Sequence, residues 1–173
     1  MIKRALLLLL TTVGLTAGAR SQNIRGRYVS KAQADGTIYH TLPVTLFESP
    51  RWGDLTFDMT YKEGQDGRVT INFTCSLPQP AAADSVRFRS GDASLAGPVE
   101  RLYLEPGKKG WRHRYSLRTD AAPVCAFFDE RATPEATLWS GGRAYEYPVR
   151  RSAWRSYAPV GYRIFEMIRQ NEQ

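Results

Sequence analysis

The stretch 54–77, DLTFDMTYKEGQDGRVTINFTCSL, holds a period of two across two segments. Leu55, Phe57, Met59 and Tyr61 alternate with Thr56, Asp58, Thr60 and Lys62. Beyond a glycine-containing tip, Val69, Ile71, Phe73, Cys75 and Leu77 alternate with Arg68, Thr70, Asn72, Thr74 and Ser76. Successive side chains of a strand point to opposite faces, so this pattern predicts an antiparallel hairpin with one dry face and one wet face. Residues directly opposite one another share a face, and both apolar sets are odd-numbered. A two-residue turn at Asp66-Gly67 would oppose Tyr61 to Asn72 and put one apolar row in water. A three-residue loop over 65–67 instead opposes Tyr61 to Ile71, Met59 to Phe73 and Phe57 to Cys75. Gly67 then takes the left-handed conformation that closes such a loop.

The rest of the chain repeats the pattern in shorter pieces. A polar lead-in, 20–35, carries one candidate strand at 25–30. The segment 36–47, GTIYHTLPVTLF, has Pro43 in its middle; a proline cannot donate to a ladder, so two short edge segments or one bent strand is expected. Residues 85–89 point Val86 and Phe88 inward and Arg87 and Arg89 outward, and 91–97 reads as a loop. A second hairpin joins 99–105 to 111–118 around the tip 106–109, with Trp111, His113, Tyr115 and Leu117 on one side. Its first arm is apolar on both sides, which predicts a central position. Residues 124–128, VCAFF, read as a short buried strand. In the third hairpin, 136–149, a two-residue Gly141-Gly142 tip opposes Leu138 to Tyr145 and Ala136 to Tyr147, so parity and the tight-turn signal agree. A helix over 159–170 begins at Pro159 and places Val160, Gly161, Ile164, Phe165, Met167 and Ile168 on one face. The expected fold is mainly β: an antiparallel sandwich or partly open barrel of about nine or ten strands, closed by one amphipathic helix at the carboxyl end. A single β-rich domain over 36–173 follows the lead-in.

The chain starts MIKRALLLLLTTVGLTAGAR. Lys3 and Arg4, a short apolar run to about Thr16 and the A-x-A end at Ala17–Ala19 are the three parts of a secretory signal, so residues 1–19 are expected to be removed. The run is too short to span a bilayer, and no transmembrane segment is expected beyond it. Loss of Lys3 and Arg4 takes two from the formal net charge of +7. The expected destination is a periplasm, the cell surface or the medium, which argues against intracellular nucleic acid as a partner. Export also leaves two readings open for Cys75 and Cys125. One is a disulfide closing a loop of about 50 residues, worth roughly 4 kcal/mol in the chain-entropy model. The other is two separate buried thiols.

The chemistry that the sequence offers is narrow. There is no G-x-S-x-G elbow, no glycine-rich phosphate loop, no C-x-x-C and no calcium-loop pattern. With only two histidines, His113 and His40, neither spaced with an acid as a metal pair, no metal or cofactor is expected. His113 sits at an inward parity and reads first as a hydrogen-bonded core residue. Arginine is the one distribution with a pattern. Arg87 and Arg89 alternate outward on one strand and Arg112 and Arg114 on another; if neighbours, these strands make a basic stripe suited to an acidic glycan or a lipid headgroup. Trp139, Arg143, Trp154 and Arg155 form the densest mix of aromatic and cationic side chains, suited to stacking sugars or an envelope protein. The leading expectation is a non-catalytic binding or scaffolding module of the envelope. The alternatives are a small secreted hydrolase using His113 or His40 with loop carboxylates, and a small outer-membrane barrel with its apolar side toward lipid.

Overall fold

A computed structural model describes residues 24–64, 67–108, 110–129 and 131–171. The candidate signal 1–19 lies outside the described residues, as do Gln65 and Asp66 of the first hairpin's tip. The described chain runs β1 (Tyr28–Gln33), β2 (Gly36–Thr41), β3 (Val44–Ser49), β4 (Gly53–Lys62), β5 (Arg68–Leu77), β6 (Ser85–Ser90), β7 (Ala93–Pro98), β8 (Glu100–Gly107), β9 (Gly110–Asp120), α1 (Ala122–Phe127), β10 (Glu135–Ser140), β11 (Arg143–Pro148) and α2 (Arg151–Asn171). Seven strands form one antiparallel sheet in the order β1-β2-β4-β5-β9-β8 with β3 also against β4, and β11-β10-β6-β7 form the second. The sheets do not close into a barrel. Of the two expected architectures the sandwich is the one formed, and a transmembrane barrel, which needs a closed sheet, is not.

Alternation explains the layering. The odd-numbered residues of β4 and β5 turn inward, and Phe57, Ile71 and Phe73 are buried. Phe88 of the smaller sheet wedges among Phe47, Phe57 and Phe73 at centroid separations of 5.8, 5.9 and 5.5 Å. Pro43 separates β2 from β3, which follow one another along the same side of β4, pairing its residues 60–62 and 53–57. Two short segments form there, β3 at an edge and β2 between β1 and β4. The third hairpin also has its expected register, Leu138 opposite Tyr145 and Ala136 opposite Tyr147.

Elsewhere the structure corrects the sequence reading. The first hairpin keeps its parity but slips by two residues: Tyr61 faces Val69, Met59 faces Ile71 and Phe57 faces Phe73. Glu63 lengthens the connection, because it belongs to β2 as much as to the turn. Its carboxylate accepts from the Thr37 N–H at 2.8 Å and the Tyr39 hydroxyl at 2.8 Å, and these bonds, Thr37's first, hold its pKa below the ordinary value. Residues 91–97 are mostly strand, not loop, because β7 completes the smaller sheet against β6. β8 is an edge strand, not a central one; a bulge between Arg101 and Tyr103 breaks its alternation, leaving Leu102 and Tyr103 exposed.

The run VCAFF is helical. Pro123 lies in the first turn of α1, where a missing N–H costs nothing. A continuous apolar run is equally compatible with strand or buried helix, and here β7 and α2 supply the burial. α2 itself starts at Arg151, eight residues before Pro159, which sits inside it. Burial of Trp154, Tyr157 and Ala158 on one face offsets the hydrogen bond that Pro159 removes. At Gly161 the helix meets Phe128 so closely that a Cβ would lie 2.7 Å from the ring. Phe128 in turn stacks between Trp154 and Phe165, at 5.9 and 6.4 Å.

The disulfide does not form. Cys75 lies in the middle of the larger sheet and Cys125 on α1, and both are free and buried. Burial pushes the Cys75 thiol up to about 12, which makes it a small hydrophobe and not a nucleophile.

Candidate functional site

Outward residues of the larger sheet, even-numbered on β4, β5 and β9, make a row that crosses five strands. Thr45 pairs with Thr56, Thr56 with Thr74, Thr74 with Arg114 and Arg114 with Tyr103. Alongside it, Glu48 pairs with Asp54, and Ser76 pairs with Arg112, which pairs with Glu105. The β3–β4 turn, which carries Trp52, and the end of β8 with its turn, Pro106, Gly107 and Lys108, flank these rows. The result is an open trough of about 1130 Å³.

Its floor is hydroxyl and guanidinium. The Thr45 and Thr56 hydroxyls are 2.6 Å apart. Arg114 donates from Nη1 to Thr74 Oγ1 at 3.2 Å and from Nη2 to Asp58 Oδ2 at 2.6 Å, and Asn72 donates to the other Asp58 oxygen at 3.2 Å. This pair is half sunk in the sheet, with side-chain exposures of 26% for Arg114 and 13% for Asp58. Arg112 pairs with Glu105 at 3.0 Å near the rim, where both are open to water. Trp52 carries the Arg51 guanidinium 4.5 Å from its ring and meets the edge of Tyr145 at 5.4 Å.

His113 stands on the other face of the same strand and is fully buried. Its Nε2–H donates to the Gln79 carbonyl at 3.1 Å, which leaves Nδ1 to accept from the Tyr115 hydroxyl at 2.8 Å; the Tyr115 oxygen accepts from the Ala83 N–H at 2.9 Å. Both ring nitrogens are therefore engaged in pinning the connector 78–83 to β9. Burial, aided by Arg101, drives the imidazole pKa down, against the Gln79 bond that raises it, so the ring is neutral. His40 lies on the exposed face of β2 with Nδ1 2.9 Å from Thr60 Oγ1. Among the described residues, no group of three His, Cys, Asp or Glu side chains is placed to hold a metal ion.

The remaining arginines and aromatics do not join this site. Arg87 and Arg89 belong to the smaller sheet, so the basic stripe is split between two outer faces. Arg87 lies over Trp139 at 5.3 Å, and Arg89 pairs with Glu135 at 2.9 Å. Arg143 covers Tyr145 at 5.7 Å. Trp154 is interior, its indole N–H donating to the Ala132 carbonyl at 3.1 Å, while Arg155 is exposed on α2. A second groove of about 1060 Å³, between α1, α2 and the β6–β7 turn, includes Cys125, Asp129 and Glu166. Both carboxylates are already paired, with Arg131 and Arg163 at 3.0 Å each.

Of the residues singled out in the sequence, Arg112 and Arg114 line the trough. Trp52, Tyr103, Glu105 and the Thr56–Thr74 row do not announce themselves there, because they become neighbours only through cross-strand register. No protein-family model and no curated protein sequence matches the chain.

Proposed function

We propose that the protein is a non-catalytic binding module of the cell envelope that holds its ligand in the trough across β3, β4, β5, β9 and β8. The trough carries this reading: hydroxyl, carboxylate and guanidinium groups converge there between two aromatic side chains, the arrangement of a polar recognition surface. The engagement of both His113 nitrogens and the raised thiol pKa of Cys75 favour binding over chemistry. The apolar amino-terminal run with its A-x-A end supports placement at the envelope. The test is retention on immobilised protein of the glycan, lipid and protein fractions of an envelope extract, with the double variant R112A/E105A as control. One fraction is expected to be held by the wild-type chain and released by the variant. Equal retention by both, or none by either, overturns the reading.

A further inference from the structure

We infer that the trough takes an uncharged carbohydrate chain and discriminates against an acidic one; this rests on the binding reading above and specifies its ligand. The first argument is charge. The lining carries Glu48, Asp54 and Glu105 against Lys108, Arg112 and Arg114, and most of these charges are already satisfied within the fold. Arg114 is held by Asp58 at 2.6 Å, Arg112 by Glu105 at 3.0 Å, and Glu48 by Arg150 at 3.5 Å. An anionic ligand would have to displace a carboxylate from each guanidinium, or leave that carboxylate beside its own charge. The acidic glycan and lipid headgroup suggested by a basic stripe of Arg87, Arg89, Arg112 and Arg114 therefore lose their electrostatic basis.

The second argument is hydrogen bonding. Each sugar hydroxyl both donates and accepts. A guanidinium beside a carboxylate offers donors next to acceptors, so one ion pair can satisfy two adjacent hydroxyls without being broken. The Arg112–Glu105 pair is placed for this at the rim, and the Thr56, Thr74 and Ser76 hydroxyls extend the same donor–acceptor character along the floor. The third argument is shape. Trp52 stands at the β3–β4 end and Tyr103 at the β8 end, four strand spacings or about 19 Å apart. Aromatic side chains at such separation suit the apolar sides of two rings several residues apart in an extended chain.

The experiment is calorimetric titration of the full chain with panels of neutral and of uronate-containing oligosaccharides, at low and high salt. Binding of a neutral oligosaccharide is expected, unchanged by salt, and weakened about tenfold or more by Tyr103→Ala. Glu105→Gln, which frees Arg112, is expected to weaken the neutral ligand and create salt-sensitive uronate binding. If the wild-type chain binds only uronates, with affinity falling as salt rises, the neutral-ligand inference is overturned while the binding module stands. If it binds neither panel but the R112A/E105A-sensitive retention persists, the carbohydrate assignment falls alone. Loss of both results removes the module as well.

Discussion

Along β5, Phe73 places its ring 5.5 Å from both Phe88 and Tyr115, while Thr74, the next residue, stands on the opposite face within 3.2 Å of the Arg114 guanidinium. One face of the larger sheet is filled by whatever apolar volume fits. The other is a set of polar groups that satisfy one another, and its exposed Arg112–Glu105 pair is worth about 0–1 kcal/mol. Stability is thus concentrated on the inward face, and the outward one is free to serve recognition. The outer face of the smaller sheet sharpens the point. It too has arginines, but Arg87 rests on Trp139 and Arg89 on Glu135, and neither lines the trough. Placement in the lining of the trough, not arginine content, separates the faces.

The largest expected effect lies on the dry face. Phe73→Ala should cost about 3–5 kcal/mol in urea unfolding, and Thr74→Ala less than about 1 kcal/mol. Similar costs for the two would erase the distinction between the faces. Gly161→Ala drives a methyl into a Phe128 ring held by Trp154 and Phe165, and should cost about 1–3 kcal/mol; an unchanged melting temperature would show that α2 is not seated on that ring.

A pH effect of intermediate size comes from His113. Its folded pKa lies below the ordinary 6.5, so below that value the unfolded chain takes up a proton that the buried ring refuses. Stability is full above about pH 6.5 and falls as pH drops from there toward the folded pKa. The melting temperature of His113→Gln should decline less steeply over that interval, and an equal slope would mean that the ring titrates normally. The smallest effects on folding belong to the outer faces. Arg112→Ala and Arg89→Ala should each change stability by no more than about 0.5 kcal/mol, yet only the first should weaken the trough ligand. Equal weakening by both would dissolve the contrast between the sheets.

Alternation made the sandwich, the inward residues and the third hairpin legible, since Gly141-Gly142 and the parity of Leu138 and Tyr145 point the same way. Register in the first hairpin was not legible, because Glu63 answers to Thr37 and Tyr39, more than twenty residues away in the chain. The helical form of VCAFF had a signal in Pro123, but its burial against α2 had none. The early start of α2 was hidden by Pro159, whose usual place in a first turn is not its place here. In the trough, Arg112 and Arg114 stood out by alternation, whereas Tyr103 came within reach of Arg114 through the bulge in β8, which no local pattern marks.

The most direct test is an amide chemical-shift map of the isotope-labelled chain titrated with the neutral oligosaccharide it binds best. The account predicts shifts concentrated at Thr56, Thr74, Ser76, Tyr103, Arg112 and Arg114, with Arg87, Arg89 and Trp139 unmoved. Shifts centred on the smaller sheet, or scattered over both faces, would contradict it.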